Sequence, residues 1–254
     1  EAIGHYKRHW DINAEDFSAM YIEAFKQTGN LLAAGMYYPY KMIAQFSETD
    51  PEKVRSLFIA LYDETIPLED RYVKFRAGCE ELLTAYRNSD PSHSKAKNHY
   101  QDLHAISVYL AFEYPEIYYI YKFKVYKGFR EIIGFEEDKT KNKSEVWKLE
   151  NYNKMCDAVL SVVSQNESLL SMSAERLDDS CYRDEAHHLL AMDVVYFGSN
   201  ISDEAEPEAI MDYLIDNPTI RGVYFGANRT FALPKKYVPL VHKLVNHFKP
   251  HILF

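Results

Sequence analysis

Tyrosines and lysines alternate in one stretch of the chain, and together they are suited to hold an unpaired base and its phosphate. Positions 117–130 read IYYIYKFKVYKGFR. Aromatic rings stack on unpaired bases, and Lys or Arg side chains bind backbone phosphates. The stretch therefore predicts a nucleic-acid contact. The residues that carry this prediction are Tyr118, Tyr121, Lys122, Lys124, Lys127 and Arg130.

The ordinary interpretation of the same rings is a hydrophobic core. Aromatic side chains contribute a large buried area, and tyrosine tolerates a half-buried position with its hydroxyl in water. The two interpretations are compatible, since some rings can be buried while others are exposed. Stacking on a base requires exposed rings beside the lysines, whereas a core does not.

Two further polar segments are suited to nucleic-acid recognition, but their sequences are less specific for it. His99, Gln101, Asp102 and His104 precede the aromatic stretch, and they are suited either to reading a base edge or to forming a solvated helical face. The sequence GVYFGANRT at 222–230 is typical of backbone amides that cradle a phosphate, and equally of a strand with its turn.

Metal-ligand residue types occur together around His187 and His188, near Cys181, Asp184 and Glu185. Adjacent side chains on a helix diverge by about 100°, so both histidines cannot face one ion there. An ordinary helix start with acidic residues near its N-terminus explains the cluster better. We therefore expect neither a metal nor a cofactor.

Catalytic motifs are missing from the sequence. It contains no GxxxxGK[ST], GxGxxG, GxSxG, HExxH or paired CxxC, and no nuclease pattern on plausible strands. We therefore expect a chain that is not an enzyme.

The composition limits the class of partner and the compartment. The formal net charge of -9 argues against a general polyanion binder but leaves room for a local basic patch. The 3 cysteines are scattered, which favours a reducing cytoplasm over a disulfide framework. The sequence has no signal peptide and no apolar run of about 20 residues, so we expect a cytoplasmic protein without membrane contact. The chain begins with Glu1 rather than Met, which suggests a piece of a longer protein.

Helical periodicity dominates the first ninety residues. Apolar residues from Phe17 to Phe25 share one helical face, and Asn13 is placed to cap that helix. Asp50-Pro51 predicts the start of a second helix, and a third is predicted at 68–87. These helices predict a bundle.

The centre of the chain changes period. A helix from about Tyr100 is expected to end at Pro115, a strand is expected at 117–123, and a further helix from about Val125. The polar stretch 136–144 is expected to be a linker or long loop. It separates a helical domain at 1–135 from a second helical subdomain at 145–254.

The second subdomain is expected to begin with a helix at 146–163. Another is expected at 186–197, either continuous or running into a short strand at 194–197. An α/β appendage at about 204–254 follows, with a strand at 222–225 between two helices. The predicted fold class is mainly α with a small mixed α/β element: a helical bundle, an aromatic-rich helix–strand–helix core and a C-terminal helix–strand–helix unit.

Four segments resemble a known family. They are HWDINAEDFSAMYIEAFKQTGNLLAAGMYYPYKMIAQF, DPEKVRSLFIALYDETIPLEDRYVKFR, KNHYQDLHAISVYLAFEYPEIYYIYKFKVYKGF and CYRDEAHHLLAMDVVYF. They are similar to the region before the AAA+ motor in McrB-like NTPases of modification-dependent restriction systems. The resemblance spans 10–197 and concerns whole segments rather than a catalytic motif.

The resemblance implies a function without catalysis in this chain. In the family the motor hydrolyses GTP or ATP, the N-terminal region commonly selects modified DNA, and a partner nuclease cleaves. This sequence has no motor motif, so the resemblance implies a DNA-recognition or adaptor region whose partners are DNA, an AAA+ motor and a nuclease subunit. It implies no defined set of base-reading residues. The alternative is a structural or protein-interaction domain of a multi-domain defence protein, without nucleic-acid binding.

Overall fold

The computed structural model of the protein describes residues 1–140 and 143–199, and this part of the chain is mainly helical. The predicted helical class is confirmed. The only β pairing within these residues is an isolated bridge between Ala34 and Tyr37. None of the helices described combines the length and the apolar character needed to cross a bilayer. The α-helices are α1 (Ala2–His9), α2 (Phe17–Phe25), α3 (Pro39–Thr49), α4 (Pro51–Leu61), α5 (Leu68–Ser89), α6 (Leu103–Glu113), α7 (Phe123–Ile133), α8 (Glu145–Val163), α9 (Glu167–Ala174) and α10 (His188–Gly198).

The helix starts follow local capping chemistry. Asp50 caps α4 as predicted, since its carboxylate accepts a hydrogen bond from the backbone N–H of Lys53 at 3.0 Å. The cap predicted for α2 was wrong: Asp16 rather than Asn13 accepts from the N–H of Ala19 at 2.9 Å. Both are capping residue types, and the choice between them depends on which one directly precedes the first turn.

The contacts divide the chain into two compact units. Unit 1 comprises Glu1–Pro115 with Asp179–Arg183, and unit 2 comprises Glu116–Asp178 with the described residues from Asp184 onward. The division therefore falls at Pro115, whereas the sequence predicted a boundary at 136–144. The predicted unit at 204–254, with its strand at 222–225, lies outside the described residues.

Unit 1 is a helical bundle around an aromatic core. Helices α1 to α5 pack successively, and α6 packs on α1. Edge-to-face and tilted ring pairs fill the centre, an arrangement that aromatic quadrupoles favour over face-to-face stacks. The rings of this core are Tyr6, Trp10, Phe17, Tyr21, Phe25, Phe58, Tyr62, Phe75, Tyr109 and Phe112.

Unit 2 is built around α7, α8 and α10, and both α7 and α8 pack on α10. Three tyrosine rings meet inside it: Tyr152 packs edge-on against Tyr121 at 5.5 Å and against Tyr126 at 5.8 Å. Helix α10 continues through 194–197, so the alternative of a short strand there was wrong.

The prediction of a strand at 117–123 was wrong. Residues 118–122 lie in neither a helix nor a strand, and α7 already begins at Phe123. The N–H of Ile120 lies 3.5 Å from Sδ of Met192 on α10, where a sheet would supply a strand carbonyl. Alternating aromatic residues predict extended backbone, but a strand also needs a partner, and the described residues contain none.

The stretch 136–144 belongs to unit 2, and where the structure describes it, it contacts α7 and α8. The N–H of Asp138 donates to Oδ1 of Asn151 on α8 at 2.8 Å, and Tyr126 on α7 donates to Oε1 of Glu137 at 2.9 Å. Residues 136–140 therefore connect α7 to α8 within one unit rather than separating two domains.

Candidate nucleic-acid interface

The N-terminal end of α7 presents an aromatic ring and two lysines to solvent. Phe123, Lys124 and Lys127 are all exposed, and the Phe123 side chain retains 62% of its accessible surface. Residues i and i+4 lie on the same helical face, so Phe123 and Lys127 are neighbours and Lys124 flanks them. Within the described residues neither lysine has an ion-pair partner, so both ammonium groups are available to an anion.

Tyr118 and Tyr121, the two rings predicted to stack on a base, are buried. They retain 6% and 5% of their accessible surface. Burial raises the pKa of Tyr121 to about 12, and the negative charges of Glu145 and Glu137 add to the shift. Neither ring offers an open face, so their placement fits the core interpretation rather than the stacking interpretation.

Arg130 is engaged inside unit 2. Its guanidinium pairs with the carboxylate of Glu137, which also accepts a hydrogen bond from Lys143 at 3.0 Å. The same guanidinium lies 5.5 Å from the centre of the Tyr126 ring. Burial tends to raise the pKa of Glu137, but the hydrogen bonds from Lys143 and Tyr126 and the charge of Arg130 lower it overall. Arg130 is therefore a structural cation and not a free phosphate ligand.

Lys122 pairs with an aromatic ring that the sequence prediction did not include. Its Nζ lies 5.1 Å from the centre of the Tyr196 ring on α10, and Tyr196 retains 52% of its accessible surface. Partial burial lowers the pKa of Lys122, as expected for an ammonium that has lost part of its water. This cation–π contact orders a positive charge beside a solvent-facing ring.

The local charge is positive although the whole chain is acidic. Positions 117–130 carry four cations and no acidic residue, against a net charge of -9 for the chain. Exposed Glu116 and Glu131 bound this stretch on either side. The residues of this stretch that lie at the surface, with the ring that Lys122 contacts, are called the α7 surface: Phe123, Lys124, Lys127, Lys122 and Tyr196.

Of the six residues predicted from the sequence, the structure brings Lys124 and Lys127 together on this surface and places Lys122 at Tyr196. Phe123 and Tyr196 were missed as candidates. A strand through 117–123 puts Phe123 on one face with Tyr119 and Tyr121, but the helix that starts there turns the ring outward. Tyr196 lies more than sixty positions away in sequence, and only packing of α10 on α7 brings it to Lys122.

The polar group at the start of α6 makes contacts within unit 1, with His99 and Gln101 buried and Asp102 exposed. Gln101 is fully buried and His99 nearly so. Nε2 of His104 lies 2.9 Å from the backbone carbonyl of Leu31, and Asp102 caps α6 through the N–H of Ala105 at 2.9 Å. Their polar atoms are therefore used to hold unit 1 together.

Tyr100 was expected inside that helix but precedes it. Its backbone has a φ of 59°, in the left-handed region, and α6 begins at Leu103. Oδ1 of Asn98 accepts a hydrogen bond from the N–H of Tyr100 at 2.7 Å and stabilises this turn. A left-handed residue is a feature that apolar periodicity does not reveal.

His187 and His188 do not converge on a common point. His187 is the left-handed residue before α10, with a φ of 62°, and the ring of His188 stacks on Tyr119 with centroids 5.1 Å apart. Asp184 accepts a hydrogen bond from the N–H of Leu189 at 2.6 Å, so the acid stabilises the helix start. The candidate phosphate loop at 222–230 lies outside the described residues.

Comparison of the chain with protein-family models, with curated proteins and with solved structures gives no significant match.

Proposed function

We propose that this chain is the non-catalytic DNA-recognition or adaptor region of a McrB-like antiphage restriction NTPase, selecting modified DNA for a motor and a nuclease located outside it. The observation that carries the proposal is the exposed Phe123 ring beside Lys124 and Lys127 at the start of α7, two lysines that have no ion-pair partner among the described residues.

An exposed phenylalanine between lysines is suited to an unstacked base. Burying the Phe123 ring against a base removes apolar surface from water, and the two lysines supply the charge that a phosphate needs. The Lys122–Tyr196 pair extends the same chemistry by a second exposed ring with a cation. A short positive surface on an acidic protein favours binding at a selected site over general binding along DNA.

The restriction role rests on the resemblance of 10–197 to McrB-like N-terminal regions. In such systems the recognition of a modified base and the hydrolysis of nucleotide belong to different parts of the protein. The missing phosphate-binding motif in this sequence supports the same division. The motor and the nuclease are accordingly partners of this chain.

The experiment is a binding assay of the 254-residue chain against methylated, hydroxymethylated and plain DNA duplexes over a series of salt concentrations. If Lys124 and Lys127 contact phosphates, the double variant Lys124→Ala/Lys127→Ala weakens binding to all duplexes about equally. It also reduces the slope of log K against log salt by about 0.9 for each lost contact. The matched control is Lys154→Ala, an exposed lysine of α8 that bridges to Asp138.

An unchanged salt slope in the double variant, or a loss just as large in Lys154→Ala, contradicts DNA binding through the α7 surface. A fold check by circular dichroism accompanies each variant, because all three lysines lie on helices.

The alternative function is a protein-interaction domain. The specific observation that favours it is a set of exposed apolar side chains on unit 1, with Met36 at 85%, Ile59 at 53% and Val73 at 55% exposure. If the unaltered chain binds no duplex more tightly than the Lys124→Glu/Lys127→Glu variant does, at any salt concentration, this alternative replaces DNA recognition.

A further inference from the structure

Two histidines of α1 and a glutamate of α2 bring three metal-ligand groups together in unit 1. His5 and His9 lie one helical turn apart, and their rings stack with centroids 4.0 Å apart. Oε1 of Glu23 lies 3.5 Å from Nε2 of His5 and 3.6 Å from Nε2 of His9. Ligand atoms of the three residues all fall within 4.8 Å of one another.

These separations suit a small tetrahedral ion. Zinc binds imidazole nitrogen and carboxylate oxygen at about 2.0–2.2 Å, so two of its ligand atoms lie roughly 3.3–3.5 Å apart. The two measured nitrogen–oxygen separations are within a few tenths of an ångström of this value. The ligand atoms of the two stacked imidazoles lie within 4.8 Å of each other, so closing the site around an ion also requires the rings to rotate.

His9 already has the hydrogen bond that orients a metal-binding imidazole. Its Nδ1 lies 2.8 Å from the backbone carbonyl oxygen of His5, so Nδ1–H is the donor. The lone pair of the neutral ring then lies on Nε2, which faces Glu23. A backbone carbonyl in this position is a common outer-shell partner of metal-bound histidines.

His5 and Glu23 each have a competing partner when no ion is bound. Nε2 of His5 donates to the backbone carbonyl of Glu23 at 2.8 Å, so an ion binds this nitrogen only when the ring takes the tautomer with its proton on Nδ1. Nζ of Lys26 lies 2.6 Å from Oε1 of Glu23. Lys26 therefore competes with an ion for this carboxylate oxygen.

We propose that His5, His9 and Glu23 form a binding site for Zn²⁺ that links α1 to α2, with water in the remaining position. Two imidazoles and one carboxylate match the ligand preference of zinc, whereas Mg²⁺ and Ca²⁺ prefer oxygen ligands throughout. His5 is buried, while His9 and Glu23 are partly exposed, so an ion reaches the site from solvent.

The first test measures binding of Zn²⁺ and of Mg²⁺ to the untagged 254-residue chain by isothermal titration calorimetry. The expected result is a heat of binding for Zn²⁺ and none for Mg²⁺ at the same concentration, because two of the three ligands are imidazole nitrogens. Substituting Co²⁺ should give visible absorption bands of a nitrogen–oxygen site. The chain has 10 histidines, so the variants below assign the site.

The variants His9→Gln and Glu23→Gln should each weaken Zn²⁺ binding by more than about tenfold, since even outer-shell changes cost 10–100-fold. Both side chains are partly exposed, so these variants are expected to fold. Lys26→Met should strengthen binding by removing the competitor for Glu23. The matched control His93→Gln changes a histidine that stacks on Tyr86 and lies outside the cluster, and it should bind zinc as the unaltered chain does.

Zinc affinity that is equal in the unaltered chain, His9→Gln and Glu23→Gln overturns the proposal, and so does the absence of zinc binding at pH 7. A general loss of folding cannot produce the higher zinc affinity that is expected of Lys26→Met. A weaker affinity in that variant also counts against the site.

Discussion

The hydroxyl of Tyr109 donates a hydrogen bond to Oε1 of Gln101 at 2.9 Å, and both side chains are fully buried in unit 1. Nε2 of Gln101 donates to the backbone carbonyls of Pro39 at 3.0 Å and His99 at 2.7 Å. The amide therefore has partners for its oxygen and for both its N–H groups. It joins the turn before α6 to the first residue of α3, within one closed network.

Replacing the amide should be costly. Gln101→Leu leaves the Tyr109 hydroxyl and two backbone carbonyls without their partner in a buried site, and we expect it to lower the free energy of unfolding by about 3 kcal/mol. Urea denaturation measures the change. The control Gln27→Leu alters an exposed glutamine and should change stability by less than about 0.5 kcal/mol. Equal effects in the two variants contradict a role for the network.

His99 should make unit 1 sensitive to mild acid. Burial lowers the pKa of His99; the charge of Glu80 opposes this effect, and that of Arg76 adds to it. The folded state therefore binds a proton less readily than the unfolded state, whose histidine pKa is about 6.5. The histidine then contributes stability above the unfolded pKa, and this contribution is lost as the pH falls from about 6.5 toward the folded pKa.

The hydrogen bond that His99 accepts also favours the neutral ring, in agreement with its lowered pKa. Nδ1 of His99 accepts from the N–H of Gln101 at 2.9 Å, and a protonated ring has no lone pair there. His99→Asn places an oxygen acceptor near the same position without a titrating group. Thermal unfolding between pH 7.5 and 5 should show a smaller loss of stability in this variant, and parallel curves for the two proteins exclude the assignment to His99.

Alanine substitutions at Tyr121 and Phe123 should distinguish a ring of the core from a ring of the contact surface. Tyr121→Ala removes a buried ring and should lower the free energy of unfolding by about 3–5 kcal/mol. Phe123→Ala removes an exposed ring and should change stability by less than about 0.5 kcal/mol. If the ring stacks on a base, Phe123→Ala should also weaken DNA binding by about 1–3 kcal/mol.

The matched control for that loss is Ile117→Ala, which truncates an exposed aliphatic side chain of the same segment. A loss of DNA affinity in Phe123→Ala no larger than in Ile117→Ala argues against stacking. Normal stability of Tyr121→Ala instead supports the prediction from the sequence that Tyr121 stacks on a base.

Arg130 should behave as a structural residue. Arg130→Met leaves the partly buried Glu137 with Lys143 and Tyr126 as its remaining partners, so we expect a loss of about 1–2 kcal/mol in stability. The change in the salt slope of DNA binding should be smaller than for Lys124→Ala. A full unit of slope lost in Arg130→Met, with unchanged stability, means that the arginine binds phosphate after all.

The chain alone should hydrolyse neither GTP nor ATP in the presence of Mg²⁺. Its sequence offers no P-loop lysine and no glycine-rich phosphate cradle. Phosphate release at the rate of a protein-free control is the expected result. Turnover that is abolished by substituting a residue of this chain contradicts its assignment as a region without catalysis.

The sequence by itself determined the helical class and several helix starts. The Asp50-Pro51 pair predicts α4, and Pro115 predicts the end of the helix before it, because both act through the backbone of their immediate neighbours. The interleaved lysines at Lys124 and Lys127 are also visible in the sequence. Local chemistry was sufficient for these features.

Only the tertiary structure decided which rings are exposed and which polar groups meet. Phe123 faces solvent because a helix rather than a strand begins there, and Tyr196 reaches Lys122 through the packing of α10. The spacing of His5 and His9 is readable from the sequence, but Glu23 joins them only when α2 packs on α1. Residues distant in sequence become neighbours through helix packing. The spacing of apolar residues along each helix does not specify which other helices it packs against.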